Sequence, residues 1–210
     1  MVEIILVRHG ETEWNLTEIF RGTIDVGLNE TGIKQAELLG EFMKGLKIEA
    51  IFSSPLKRAL MTAEPVARNK QLQIETVPAL IDLNFGKWQG LPVQEVRDKY
   101  EELYSDWVNH PESVEMPDGE NLNYVRKRAL ALIDRLTVEY HGTVVLVSHR
   151  VVNKVLICAL LGLDNSHFWN IQQDTCGITT FAFEKGRFIL TGHNNTSFLQ
   201  SISNPQLNDF

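Results

Sequence analysis

Two histidines follow two similar apolar segments of the chain. His9 follows the apolar run 4–7 and one arginine, and His149 follows the apolar run 144–147 and one serine. Each run predicts a buried strand, and neighbouring parallel strands open at their carboxyl ends onto a single ligand-binding crevice. Imidazole titrates near neutral pH and can act as a nucleophile. With Arg8 beside the first histidine, the pair predicts chemistry on an anion.

A histidine near the core can also be purely structural. We favour the functional interpretation because both histidines end a predicted strand, where pockets form, and because Arg8 adjoins one of them. The remaining histidines follow no such pattern, and we expect structural or surface roles for His110, His141, His167 and His193.

The composition limits the class of protein. The chain has 210 residues, 43% of them hydrophobic, with a net charge of −7 and no lysine- and arginine-rich segment. This length and apolar content predict a single domain over residues 1–210, and the acidic charge argues against a nucleic-acid partner. We find neither a leader-like start nor a run of ~18 apolar residues, so we expect no membrane partner and a cytoplasmic location.

Alternating apolar patterns predict an α/β fold. Short apolar runs predict strands at residues 4–7, 50–52, 73–77 and 144–147. Helical spacing predicts helices at residues 29–46, 56–67, 121–140 and 151–161, with Asn29 as the N-cap of the first. Two late runs, 178–183 and 188–191, predict an edge hairpin. We expect three layers, with a mostly parallel central sheet and helices on both faces.

The pattern weakens between Gly90 and Gly119. Short helical pieces are expected over residues 93–108, followed by a proline-containing loop over 110–118. We predict that this segment, about residues 91–119, is an inserted cap that covers the active site and shapes the substrate pocket. The polar tail beyond Leu199 is expected to fray.

A series of motifs occurs in order between residue 8 and about residue 160. They are Arg8-His9-Gly10-Glu11-Thr12 with Asn15, Leu28-Asn29-Glu30-Thr31-Gly32, Ser53-Ser54-Pro55-Leu56-Lys57-Arg58-Ala59, Phe85-Gly86-Lys87-Trp88-Gln89-Gly90, Gly119-Glu120 with Arg128, and Val147-Ser148-His149. In this order the motifs resemble the histidine phosphatase superfamily, which includes the cofactor-dependent phosphoglycerate mutases. The resemblance implies a phosphoglycerate mutase-like fold and a phosphohistidine intermediate.

Phosphoryl transfer and the resemblance together assign roles to four residues. The transition state spreads charge over three phosphate oxygens, so positioning and cationic stabilisation dominate catalysis. Arg8 and Arg58 are the expected clamps, because a guanidinium binds two phosphate oxygens at once. His9 is the expected nucleophile and must be neutral when it attacks. His149 is expected to donate a hydrogen bond to the phosphate and, if protonated, to add charge stabilisation.

Further contacts to the substrate are predicted at four positions. Asn15 is expected to supply another donor, with a turn residue as the alternative interpretation. Gly22 and Thr23 are additional candidates for phosphate binding. Arg150 stands where the family commonly has glycine, and its guanidinium could contact the phosphate or a substrate carboxylate, or equally point into solvent.

One carboxyl group must protonate the leaving alcohol and later accept a proton from water. Alignment on the Phe85-Gly86 part of the family motif places Asp82 at this position, where the family usually has glutamate. Because the side chain is shorter, Glu11 is the second candidate. Apolar neighbours such as Trp88 would favour the protonated acid.

Hydrolysis of the phosphate ester is favoured over transfer of the phosphoryl group to a second position on the substrate. A mutase must hold a second anionic group, and residues 91–118 offer only Arg97 and Lys99 among eight acidic residues. We therefore predict a phosphomonoester hydrolase that acts on a small phosphorylated metabolite and tolerates a neutral or amine-bearing leaving group. A phosphoglycerate mutase and a non-catalytic module that binds a phospholigand remain alternatives. By length and insertion, the chain is similar to alpha-ribazole, metal-independent phosphoserine and broad-specificity phosphatases.

No cofactor and no metal are expected. Cys158 and Cys176 match neither a disulfide framework nor a zinc-ligand spacing, so both are expected to be buried, reduced thiols. A metal hydrolase built on His9, His149 and Asp82 is disfavoured, because these residues lack a recognised ligand spacing. The expected partner is a small phosphomonoester, and a homodimer would add a second copy of the chain.

Overall fold

A sheet of six strands forms the centre of residues 1–202, the part of the chain that this computed structural model describes. The strands are β1 (Val2–Arg8), β2 (Ile48–Ser53), β3 (Ile74–Thr76), β4 (Thr143–Ser148), β5 (Ile178–Glu184) and β6 (Arg187–Asn195). Their spatial order is β3-β2-β4-β1-β5-β6. The first four are parallel, β5 is antiparallel to β1, and β6 is antiparallel to β5. This confirms the mostly parallel sheet and the edge hairpin.

Helices cover both faces of the sheet. They are α1 (Glu13–Leu16), α2 (Glu30–Phe42), α3 (Lys57–Lys70), α4 (Val93–Lys99), α5 (Glu101–Asn109), α6 (Leu122–Glu139) and α7 (Arg150–Leu160). Alternate residues of β1 point to opposite faces, as a pleated strand requires. Ile5 and Val7 pack in the core with α2 and α3, whereas Ile4 and Leu6 pack in the core with α6 and α7. The three predicted layers are therefore confirmed.

Two of the predicted helix starts have side-chain caps. Asn29 accepts a hydrogen bond from the backbone N–H of Gly32, and Asn121 accepts one from the backbone N–H of Tyr124. Each bond satisfies a donor that the first turn of a helix otherwise leaves without a partner. The N-cap expected at Asn29 is confirmed.

The segment that was expected to cap the crevice forms a helical layer around aromatic side chains. The Trp107 ring, from α5, lies 5.7 Å from the ring of Phe85 and 5.3 Å from that of Phe168. The indole N–H of Trp169 donates to the Trp107 carbonyl over 2.7 Å. These contacts fix α5 beside the loop that carries Phe85.

The register of the central strands brings three loops together. Arg8 of β1 pairs with Ser148 of β4, and Ser53 of β2 pairs with Val147 of β4. The backbone N–H of His9 then donates to the Ser148 carbonyl over 2.9 Å. The residues that follow β1, β2 and β4 consequently share one end of the sheet.

Both cysteines are free and buried, as expected. Burial raises the pKa of Cys158 to about 11 and that of Cys176 to about 12. No helix within residues 1–202 has the length and apolar character needed to cross a membrane. Most of the tail that was expected to fray, residues 203–210, lies outside the described residues.

Replacement of Gly32 by alanine tests the close packing of α2 on the loop after β1. A Cβ at Gly32 would lie 2.1 Å from the carbonyl oxygen of Glu11, so backbone must move. We expect Gly32→Ala to lower the free energy of unfolding by about 1–3 kcal/mol, despite the higher helix propensity of alanine. Gly45→Ala is the control, because no atom lies within 4 Å of a Cβ there. Equal urea midpoints for the two variants would refute the packing argument.

Candidate active site

The structure brings His9 and His149 together at the carboxyl end of the sheet. Their ring centroids are 5.3 Å apart, with an angle of 57° between the ring planes, and both side chains are buried. His9 directly follows β1 and His149 directly follows β4, so the parallel pairing of these strands sets the distance. Two residues 140 positions apart thus form one site.

A backbone hydrogen bond fixes the tautomer of His9. Its Nδ1 lies 2.7 Å from the carbonyl oxygen of Gly10. A carbonyl oxygen can only accept, so Nδ1 carries the proton and Nε2 presents its lone pair. Burial lowers the pKa of His9 well below its ordinary value, and the charges of Arg58, Arg21 and Arg8 lower it further. The imidazole is therefore neutral and nucleophilic at Nε2.

His149 has the opposite arrangement of its ring nitrogens. Its Nε2 lies 2.8 Å from Oγ of Ser54, which accepts a hydrogen bond from the N–H of Leu56 and can donate its own proton to Nε2. With Ser54 as the donor, the imidazole proton resides on Nδ1, which lies 3.7 Å from Oδ2 of Asp82. Burial lowers the pKa of His149 well below its ordinary value, followed by the charge of Arg58. The residue can donate from Nδ1 as a neutral group.

The two predicted arginine clamps are buried beside the histidines. Arg58, in the first turn of α3, donates to the carbonyls of Ile24 and Gly22 over 2.9 and 2.7 Å, and its Nη2 lies 3.3 Å from Oδ2 of Asp82. Arg8, the last residue of β1, donates to the carbonyl of Gln173. These bonds hold both guanidiniums in one orientation.

A third arginine, Arg21, belongs to the same cluster and was missed by the sequence analysis. It is only 8% exposed, and its Nε and Nη1 atoms have no hydrogen-bond partner within residues 1–202. Burial lowers its pKa well below the ordinary value, as do the charges of Arg58 and Arg8, whereas Asp82 opposes the shift. Arg21 directly precedes Gly22 and Thr23, two predicted phosphate-binding residues, and this position could have identified it from the sequence.

Of the two candidate acids, Asp82 faces the cluster. Its Oδ2 lies near Arg58 and His149, while its Oδ1 accepts from the N–H of Leu83 over 3.0 Å. Glu11 is also buried, but its Oε1 accepts from the side-chain amide of Asn29, at the start of α2. The geometry favours Asp82 as the proton donor.

Asn15 and Thr23 differ in how much donor capacity they retain. The Oδ1 atom of Asn15 accepts from the N–H and the hydroxyl of Thr12 over 2.9 and 3.0 Å, which leaves its amide nitrogen as a donor. Both donors of Thr23, the N–H and the hydroxyl, instead bond to Oε1 of Gln89 over 2.7 and 3.0 Å. Direct phosphate binding by Thr23 would therefore require Gln89 to move.

A narrow cleft opens beside the cluster, with an accessible volume of about 20 Å³. It is lined by Ile19, Phe20, Arg21, Gly22, Asp82, Phe85, Arg150 and Val151. Residues 91–119, which were expected to shape the pocket, do not line this cleft. Two of them contact residues that do line it, since Leu91 accepts a backbone hydrogen bond from Phe20 and Pro92 pairs with Ile19.

Arg150 does not point into solvent. It is 8% exposed, lines the cleft with Asp82, and its guanidinium carbon lies 5.9 Å from the centre of the Trp169 ring. A contact with substrate is the interpretation that this position supports. No group of three or more His, Cys, Asp or Glu side chains within residues 1–202 is arranged to hold a metal ion.

The lowered histidine pKa values predict how stability varies with pH. In the unfolded chain histidines have a pKa of about 6.5, whereas the pKa values of His9 and His149 in the folded chain are well below that value. As pH falls below about 6.5 the unfolded state binds more protons, so the free energy of unfolding decreases. Urea denaturation at pH 7.5 and 5.5 should show this loss in the wild type and a smaller loss in the His9→Asn/His149→Asn double variant. Equal losses would contradict the buried, neutral state of both rings.

Comparisons with known proteins identify the family of this chain. The profile of the Histidine phosphatase superfamily (branch 1) matches residues 4–196. "Phosphoserine phosphatase 1" of Hydrogenobacter thermophilus is 38% identical over 200 residues, which are 95% of each chain. "Probable phosphoglycerate mutase GpmB" of Yersinia pestis is 30% identical over 193 residues, 91% of this chain and 90% of the other.

A solved structure supports the same assignment. Phosphoserine phosphatase from Entamoeba histolytica, in complex with 3-phosphoglyceric acid, superimposes with a TM-score of 0.82 at 32% identity. The match covers 95% of this chain and 100% of the other. The chain therefore belongs to the histidine phosphatase superfamily.

Proposed function

We propose that this protein hydrolyses a small phosphomonoester through a phosphohistidine formed on His9. The observation that carries the proposal is a buried, neutral imidazole whose proton is held on Nδ1 by the Gly10 carbonyl, surrounded by Arg8, Arg21 and Arg58. Such a site combines a nucleophilic lone pair with the positive charge that a phosphate dianion requires.

In the first step, Nε2 of His9 attacks phosphorus and the bond to the leaving oxygen breaks. Asp82, in its carboxylic acid form, gives its proton to the leaving alcohol. The imidazole becomes positively charged as the P–N bond forms, and the hydrogen bond to the Gly10 carbonyl stabilises that charge. Arg8 and Arg58 bind the phosphoryl oxygens, and His149 donates from Nδ1.

In the second step, water replaces the imidazole at phosphorus. The Asp82 carboxylate accepts a proton from water while the water oxygen attacks, so the acid form is regenerated. The P–N bond breaks and its electron pair returns to Nε2 of His9. Inorganic phosphate is the second product, and the arginines supply the charge stabilisation for both steps.

The relatives support phosphoserine as the first substrate to examine. Two phosphoserine phosphatases match nearly the whole chain, at 38% and 32% identity. We also propose a cytoplasmic location and a small-molecule partner rather than nucleic acid. Two free thiols and a net charge of −7 without a basic segment support this assignment.

A mutase is the second candidate function. The chain is similar to a probable phosphoglycerate mutase, and Arg21 and Arg150 add cations that the sequence argument looked for only in residues 91–118. Analysis of the products from a phosphoglycerate separates the two functions, because a phosphatase releases inorganic phosphate and a mutase moves the phosphoryl group.

Replacement of His9 tests the covalent intermediate. We expect His9→Ala to lower kcat by at least roughly 10⁴-fold, because no other nucleophile occupies its place. Wild-type enzyme quenched in alkali during turnover of labelled substrate should carry an acid-labile phosphate that His9→Ala lacks. The exposed His110 supplies the control variant, His110→Ala, which should retain both activity and label. Full labelling of His9→Ala would exclude His9 as the nucleophile.

Replacement of Asp82 tests the proton donor. We expect Asp82→Asn to slow alkyl phosphates by about 10²–10⁴-fold and p-nitrophenyl phosphate much less, because nitrophenolate leaves without a proton. Glu11→Gln is the matched comparison, since Glu11 is a buried carboxyl that faces α2. If Glu11→Gln shows the dependence on leaving group and Asp82→Asn does not, the two roles must be exchanged.

A further inference from the structure

We propose that the ion pair between Glu120 and Arg128 positions the proton donor Asp82 against the leaving group. Both residues belong to one motif of the sequence, Gly119-Glu120 with Arg128, and the proposed mechanism leaves both without a role. The inference rests on the proposed phosphatase function, in which Asp82 protonates the leaving alcohol. It adds two positioning residues that act through Asp82 rather than on the substrate.

Arg128, near the start of α6, ties the loop that carries Asp82 to that helix. Its Nη1 donates to the carbonyl of Ala79 over 2.7 Å, and its Nη2 donates to the carbonyl of Asp82 itself over 3.2 Å. A guanidinium is a planar, rigid fork, so two bonds to one loop fix both the distance and the orientation of that loop. The backbone of Asp82 is therefore held by α6.

Glu120 holds the same loop on the other side of Asp82 and completes the ion pair. Its Oε2 accepts from the backbone N–H of Asn84 over 3.0 Å, and its own backbone N–H donates to the Asn84 carbonyl over 2.9 Å. The two carboxylate oxygens accept from Nε and Nη2 of Arg128 over 3.3 and 3.2 Å. Residues 79–84 are thus anchored on either side of Asp82 by one bidentate pair.

Two glycines allow Glu120 to come this close to the loop. A Cβ at Gly119 would lie 2.3 Å from the carbonyl oxygen of Asn84, and a Cβ at Gly86 would lie 1.9 Å from that of Pro117. A larger residue at either place would force the two backbones apart. The direct contact between these loops is therefore what places the Glu120 carboxylate beside Asn84.

An aspartate depends on this anchoring more than a glutamate would. The carboxyl group of Asp82 stands one methylene closer to its backbone than that of the glutamate usual in the family, and its Oδ1 is bonded to the N–H of Leu83. With fewer side-chain torsions, the position of the acid follows the position of the loop. Misplacing a reacting group by about 1 Å can cost about 100-fold in rate. The loop must therefore be held firmly for Asp82 to act.

Dependence on the leaving group separates a positioning role from a purely structural one. We expect Arg128→Gln to lower kcat for phosphoserine by about 10–100-fold and kcat for p-nitrophenyl phosphate by less than about threefold, because nitrophenolate leaves without a proton. A loss of folded protein would slow both substrates equally. Arg135→Gln is the control, since Arg135 lies on the same helix and pairs with Glu75 at the surface, and both rates should stay unchanged.

A lysine at position 128 separates geometry from charge. Arg128→Lys keeps the positive charge but loses the planar fork, so we expect it to retain most of the defect on phosphoserine. The charge of Arg128 is, after burial, one of several that lower the pKa of His149. Full activity of Arg128→Lys on phosphoserine would therefore overturn the positioning role in favour of a general electrostatic effect.

A double variant shows whether the pair acts through Asp82. Residues that act as one unit are not additive, so Asp82→Asn/Arg128→Gln should hydrolyse phosphoserine within about threefold of Asp82→Asn alone. Multiplied losses, or equal slowing of both substrates by Arg128→Gln, would overturn the positioning role and leave Asp82 as the acid. If Asp82→Asn itself shows no dependence on the leaving group, the assignment of Asp82 fails and this inference fails with it.

A second variant keeps the test decisive if Arg128→Gln does not fold. Glu120→Gln preserves the volume of the side chain and removes the charge that Arg128 meets. We expect it to slow phosphoserine more than p-nitrophenyl phosphate, in the same direction as Arg128→Gln. Folded Glu120→Gln with equal rates relative to the wild type on both substrates would overturn the inference.

Discussion

Hydrogen bonding between the parallel strands β1 and β4 is the interaction on which the site depends. It pairs Arg8 with Ser148, and the next residue on each strand is a histidine. A shift of one residue in this register would send the side chains of one strand to the other face of the sheet. The apolar residues of both strands prevent that shift, because each face packs in its own core. The stability of the core and the geometry of the two histidines therefore have the same origin.

The site concentrates buried positive charge around a small number of neutral groups. Three arginines lower the pKa of His9, and burial lowers it most. This arrangement is unfavourable for the folded chain alone, because charged groups lose hydration when buried. It is favourable for a bound dianion, whose charge the arginines match without reorganisation. In the proposed mechanism, this preorganised charge surrounds the nucleophile His9, whose lowered pKa keeps it unprotonated.

The sequence predicted those parts of the molecule that depend on local pattern. Alternating and helical spacing located the strands and helices, and Asn29 marked a helix start. The sequence predicted the meeting of His9 and His149 from the ends of two strands, but it did not predict the long-range contacts that loops make. Arg21 reaches the cluster only because its loop pairs with residues 90–92, and Thr23 is engaged by Gln89 far along the chain. The aromatic contacts that fix α5 beside the Phe85 loop also join residues far apart in the chain and have no signature in local spacing.

The buried thiols have a consequence for redox chemistry. Peroxide reacts with a thiolate, and a thiol whose pKa is about 12, as at Cys176, is almost entirely protonated at neutral pH. Cys176 lies next to the end of β1, since its backbone N–H donates to the carbonyl of Arg8. Phosphatases that use a cysteine nucleophile lose activity when that sulfur is oxidised. With His9 as the proposed nucleophile and a protonated thiol beside it, we expect turnover to continue under oxidising conditions.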